Sequence, residues 1–167
     1  SGGSEFRGFT IKNGKGSPDD GRTGEIINRG GGLIGGDAII RDMIFEENRV
    51  TEGGGAIRVE GGGSVIIKST IIRNNYAKMY GAAINIWDGN IIADNLLIYA
   101  NESDGSLFYF GGGGTATLKN STIVDNKTNS IFSVGNNDLT MTNSIIRHSN
   151  DRSEEHTSEL QSQFHLV

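Results

Sequence analysis

Apolar residues fall along this chain in short runs that return at a nearly constant interval. Phe45-Glu46-Glu47-Asn48, Ile72-Arg73-Asn74-Asn75, Ile98-Tyr99-Ala100-Asn101 and Ile123-Val124-Asp125-Asn126 share one order: an apolar residue, two mostly polar positions, an asparagine. The asparagines are 75 − 48 = 27, 101 − 75 = 26 and 126 − 101 = 25 residues apart. A degenerate copy stands at Ile146-Arg147-His148-Ser149, and an earlier one at Gly8-Phe9-Thr10-Ile11-Lys12-Asn13-Gly14. Between them a second element recurs: Gly54-Gly55-Ala56-Ile57-Arg58-Val59, Gly81-Ala82-Ala83-Ile84-Asn85-Ile86, then Ser106 to Phe110 and Ser130 to Val134. Its apolar residues alternate, as in Ile57/Val59 and Phe108/Phe110, which is the period of a strand with one buried face. A third short strand follows at Ala38-Ile39-Ile40, Val65-Ile66-Ile67, Ile91-Ile92-Ala93, Thr115 to Leu118 and Leu139-Thr140-Met141.

Each interval thus holds three strands of about four to six residues, and no helix fits in any of them. Three apolar faces per interval are buried together if the chain coils and each strand pairs with its equivalent about 4.8 Å away in the next coil. The expected fold is all-β, a right-handed parallel β-helix of about six coils of roughly 25 residues. Asn48, Asn75, Asn101 and Asn126 then form an asparagine ladder inside a turn, each amide donating and accepting along the axis. Asparagine also tolerates the left-handed backbone such turns require. Leucine-rich repeats fit Ile40-x-x-Met43-x-Phe45-x-x-Asn48, but they return through a helical segment where this chain has a Gly-rich strand.

Composition sharpens this picture. Glycine supplies 26 of 167 residues and proline one, without the glycine at every third position of collagen. The glycines separate β-branched runs, as turns between strands do. Cysteine is absent, which removes disulfides, thiol catalysis and zinc-thiolate sites. The net charge is −5, from 15 basic and 20 acidic residues, without a basic stripe, so no nucleic-acid partner is expected. No apolar run approaches the roughly 20 residues of a membrane-spanning helix. Residues Arg152 to Ser162 resemble the in-frame translation of a sequencing adapter. Residues 1–151 are therefore expected to be a β-helix fragment truncated at both ends, and 152–167 a non-native tail, disordered or loosely helical.

Candidate chemistry is sparse. Hydrolysis of a glycosidic bond needs two carboxylates roughly 5–10 Å apart. The outward column of the second strand reads Arg58, Asn85, Tyr109, Ser133 and contains no carboxylate. Glu60, one coil from Trp87 and near Asp88, and Lys68, stacked on Asp94 and Lys119, make Glu60, Asp88, Lys68 and Asp94 the best catalytic set. Nothing among them repeats or converges, and exposed charges on a solvated strand face are the better explanation of them. Asp19 and Asp20 read first as a Pro-Asp-Asp-Gly turn and second as a calcium ligand pair, though without loop-type ligand spacing; no other cofactor is expected. His148 is a surface residue, and Gly61 to Gly63 and Gly111 to Gly114 are turns, not phosphate loops. Trp87, Tyr109, Tyr99 and Tyr76 are the candidates for stacking on sugar rings.

Gly54-Gly55-Ala56-Ile57 together with Phe45-Glu46-Glu47-Asn48 resembles the GGA(I/L/V) and FxxN repeats of polymorphic outer-membrane proteins, over residues 6–150 or so. Gly81-Ala82-Ala83-Ile84 departs from the motif by one residue. The resemblance implies a non-enzymatic extracellular scaffold, an adhesin passenger or stalk at a bacterial cell surface, with a carbohydrate or host-surface ligand. The alternative is a polysaccharide lyase or glycoside hydrolase of the pectate-lyase-like β-helix class.

Overall fold

The computed structural model describes residues 4–18, 28–135 and 137–148. Asp19, Asp20 and the 152–167 segment lie outside them. Among the described residues the only regular structure is β, wound as a parallel solenoid. The longest sheet stacks Ser4–Arg7, Ala38–Arg41, Gly63–Arg73, Gly89–Tyr99, Gly114–Lys119 and Asn137–Thr142, in that order. A five-stranded sheet stacks Leu33–Gly35, Ile57–Val59, Ile84–Ile86, Ser106–Phe110 and Ser130–Val134. A small third sheet pairs Arg49–Val50, Tyr76–Ala77 and Glu102–Ser103. Among the described residues every pairing is parallel except the short bridge of Ser17–Pro18 with Asn28–Arg29.

In the longest sheet Ala38, Val65, Ile91, Ala116 and Leu139 are in register. Successive turns therefore take 65 − 38 = 27, 91 − 65 = 26, 116 − 91 = 25 and 139 − 116 = 23 residues. That makes about four complete turns, where about six were expected. The difference lies at the two ends. The passage from Ser4 to its partner Ala38 carries the antiparallel excursion, and the last described coil consists of Asn137–Thr142 and Ile145–His148 alone.

Strand lengths also depart from the sequence pattern. The third strand of one coil and the FxxN strand of the next merge into continuous eleven-residue strands, Gly63–Arg73 and Gly89–Tyr99. Each turns a corner midway, at Ser69 (φ 48°) and Asn95 (φ 59°), in line with Asp42, Asn120 and Asn143, all left-handed. The corner after Phe45, Ile72, Ile98 and Ile123 is made in the same way by Glu47, Asn74, Ala100 and Asp125, with φ between 53° and 56°. The ladder asparagine is thus not the left-handed residue; its predecessor is. The predecessor turns the chain, and the asparagine side chain that follows is directed inward.

There, Asn48, Asn75, Asn101 and Asn126 are buried and stacked. Asn48 donates from Nδ2 to Asn75 Oδ1 (2.9 Å), Asn75 to Asn101 (3.0 Å) and Asn101 to Asn126 (2.9 Å). The same oxygens accept from the backbone N–H of the preceding asparagine. The remaining amide hydrogens reach the carbonyls of Ile11, Phe45, Ile72 and Ile98 in the coil before. Gly14 occupies the equivalent position in the first coil and donates its N–H to Asn48 Oδ1.

The interior is filled by columns of one residue per coil, such as Ile40, Ile67, Ala93 and Leu118, and Phe45, Ile72, Ile98 and Ile123. Small Ala93 and Ala116 occur in the coils that carry the large Phe108, Phe110 and Phe132, so volume is conserved across the core. Phe108 stacks on Phe132 at 5.1 Å.

Candidate functional site

The outer side of the five-stranded sheet is where the structure differs most from a plain alternation. Arg58, Asn85, Tyr109 and Ser133 are in register along it. The expectation that this column faces solvent holds for neither Arg58 nor Asn85, which are 3% and 0% exposed. They are covered from the side. Glu52 and Tyr80, on the connections that lead into this sheet, fold over the column.

Buried charge requires partners, and Arg58 has three. Its Nε donates to Glu60 Oε2 at 2.8 Å, its Nη1 lies 3.9 Å from Glu52 Oε1, and the same Nη1 donates to Asn85 Oδ1 at 3.4 Å. Glu52 is itself buried; its Oε2 accepts from Arg29 Nε at 2.5 Å and its Oε1 from the Tyr80 hydroxyl at 2.7 Å. Burial, and next the hydrogen bond to Glu52, hold the Tyr80 phenol above the ordinary tyrosine range. Asn85 Nδ2 is buried without a hydrogen-bond partner. A Cβ on Gly53 would meet this nitrogen at 2.5 Å and the Tyr80 ring at 2.6 Å, so only glycine admits both.

Three aromatic rings lie beside this network. Tyr80 stacks on Tyr109 with centroids 4.3 Å apart and planes at 25°, and Trp87 lies 6.3 Å from Tyr109 at 14°. Trp87 belongs to the next outward column, Glu60, Trp87, Gly111 and Gly135, adjacent to the first by strand alternation. A Cβ on Gly111 would stand 3.1 Å from the indole and 2.4 Å from Tyr109, so the bare position is where the rings come to rest. Trp87 keeps 47% of its surface exposed. The result is an aromatic shelf made of a short stack of rings on the outside of the sheet, with Glu60 at its border and Asp88 exposed beside it.

A family model described as "Right handed beta helix region" matches residues 1–156. The chain belongs to the right-handed β-helix family. None of the curated proteins and none of the solved structures matches it.

The four acid–base candidates separate into two pairs on this β-helix. Glu60 and Asp88 sit at the end of the five-stranded sheet. Lys68 and Asp94 are register partners on the longest sheet, and Asp94 is also in register with Lys119. Lys68 lies 68 − 63 = 5 residues beyond Gly63, which at 3.3 Å per residue is roughly 17 Å of strand. The Asp94 carboxylate accepts from Asn120 Nδ2 at 2.7 Å. Among the described residues no group of three or more His, Asp or Glu side chains is placed to hold a metal ion. His148 takes the register position of Asn126 in the following coil and is half-buried.

The aromatic candidates separate too. Arg49 lies 3.7 Å above the Tyr76 ring, and Arg73 donates to the Tyr99 hydroxyl at 2.9 Å. Both tyrosines cover neighbouring cations, and only Trp87 and Tyr109 join the shelf. Periodicity missed Glu52 and Tyr80, because neither lies on a strand. One sequence signal does point to them. In aligned coils a large ring faces glycine, Tyr80 beside Gly53 and Trp87 beside Gly111, which marks a ring lying across its neighbour.

Proposed function

We propose that this β-helix is a non-catalytic binding scaffold, an adhesin passenger or stalk displayed outside the cell or at a bacterial surface. The observation that carries the reading is the way the acids nearest the open face are used. Glu52 is taken up by Arg29, Arg58 and Tyr80, and Glu60 by Arg58. Carboxylates engaged in this way brace a surface, whereas a general acid or base needs an oxygen aimed at substrate. The ring stack they brace leaves Trp87 47% exposed. The surface location rests on the likeness of the Gly54–Ile57 and Phe45–Asn48 motifs to polymorphic outer-membrane repeats.

Protease treatment of intact producing cells tests the location. Loss of the protein while a cytoplasmic marker stays whole supports display, and full protection sinks it. The pectate-lyase-like alternative draws on the Lys68–Asp94–Lys119 column, in which an acid stands between two cations. Purified protein is expected to release no unsaturated sugar from pectin or alginate, with or without calcium, and any such product overturns the scaffold reading.

A further inference from the structure

We infer that Asn13 is a modification site, a slow deamidation held in check by the bond that ties Gly14 to the asparagine row, and that the reaction frees the first coil from that row. Three observations carry the inference.

The first is the dipeptide. Asn13-Gly14 is the only Asn-Gly pair of the chain. An asparagine loses its side-chain amide to water through a ring closed by the backbone nitrogen of the next residue, and glycine, with no Cβ beside that nitrogen, obstructs the closure least. Asn13 is exposed at a left-handed corner (φ 57°), so water reaches it. Asn74, Asn95, Asn120 and Asn143 are exposed left-handed corners too, but each precedes a residue with a side chain. The second is the reason glycine stands there. Gly14 holds the row position one coil before Asn48, and a Cβ on it would overlap the carbonyl of Gly31. The fold therefore keeps the susceptible pair. The third is the state of the attacking nitrogen. The Gly14 N–H donates to Asn48 Oδ1 at 2.9 Å, and the Gly14 carbonyl accepts from the Arg49 N–H at 2.8 Å. To react, the Gly14 nitrogen must leave Asn48 and give up its proton. It then bonds to Asn13 Cγ, the Cγ–Nδ2 bond breaks, and Nδ2 departs as ammonia with the proton. Water opens the ring at Cγ to give aspartate, or at the backbone carbonyl carbon to give isoaspartate, whose main chain runs through Cβ and is one atom longer. The longer link carries the Gly14 N–H away from Asn48 Oδ1. Either product also adds a carboxylate beside Glu47, since Asn13 and Glu47 follow the register pair Lys12 and Glu46.

The full chain is incubated in mildly alkaline buffer, folded and in urea, with each asparagine read by tandem mass spectrometry and isoaspartate by its specific methyltransferase. In urea Asn13 is expected to react ahead of every other asparagine. In the folded chain it is expected to react more slowly, by at least the factor that protects the Gly14 amide from hydrogen exchange, because both events take the same proton from the same opened bond. Asn48→Ala removes the acceptor and is expected to speed Asn13 about fivefold, as the loss of one ordinary hydrogen bond would. Asn126→Ala, at the far end of the row, is expected to leave the rate of the parent protein. In the modified protein Thr10–Lys12 should exchange faster while Gly63–Arg73 stays as slow as before. Another asparagine reacting first in urea overturns the proposal, as does a folded chain that reacts no more slowly than the unfolded one. So does an Asn48→Ala rate equal to that of the parent or of Asn126→Ala. Unchanged exchange at Thr10–Lys12 in the modified protein overturns the release of the first coil. If Asn48→Ala fails to fold, the match between Gly14 exchange and Asn13 reaction in the parent protein decides alone.

Discussion

At the scale of single residues, the positions that matter most are polar and buried. Asn101 accepts from both the N–H and the Nδ2 of Asn75 and donates to Asn126 and to the carbonyls of Ile72 and Tyr99. Asn101→Ala leaves the buried backbone N–H of Asn75 without its acceptor, at about 1–3 kcal/mol, and removes four further hydrogen bonds of the Asn101 amide. The expected loss is about 3 kcal/mol or more in urea unfolding, whereas Asn120→Ala, at an exposed corner, stays within about 1 kcal/mol; equal losses contradict the ladder's role. Tyr80 offers a pH test. Its folded pKa lies above the roughly 10 of a free phenol, through burial first and the Glu52 hydrogen bond second. A group raised in the folded state contributes fully below its unfolded pKa and loses that contribution as pH climbs through the folded value. Tyr80→Phe is expected to cost about 1.5–3 kcal/mol at neutral pH, and the gap from the parent protein should narrow in strongly alkaline buffer. A constant gap across that range would contradict the Tyr80–Glu52 bond.

At the scale of elements, the recurring Asn and the alternating Ile and Val pairs made the strands and their stacking legible, because each reports a side chain that must face inward. The corners were less legible. A left-handed residue leaves no fixed letter: Glu47, Asn74, Ala100 and Asp125 share one backbone state and four side chains. The strain this implies is testable at Ala100, which is exposed and has no side-chain polar group to compensate. Ala100→Gly is expected to stabilise by about 1 kcal/mol in thermal unfolding; a decrease would mean that the corner is not left-handed. The site was legible in part. Trp87, Tyr109 and Glu60 stood out by residue type, but the burial of Arg58 and Asn85 depends on Glu52 and Tyr80 arriving from connections outside the strand pattern. Alternation within a strand says which side a residue is on, and not whether a loop later covers it.

At the scale of the whole molecule, each coil touches only its neighbours, so protection is expected to fall from the centre outward. Hydrogen exchange should be slowest in Gly63–Arg73 and Gly89–Tyr99 and fastest in Thr10–Lys12 and Ile145–His148; uniform exchange along the stack would argue for a single cooperative unit. The asparagine row carries one more consequence at this scale. Every link between asparagine side chains passes a hydrogen from an earlier coil to the oxygen of a later one, so the row has a sense, as an arrow does. At one end Gly14 supplies an N–H to the row; at the other His148 stands in the register position after Asn126 and has no side-chain oxygen with which to continue it. The row therefore shows unlike groups at its two ends, and two stacks that met through like ends would not continue it.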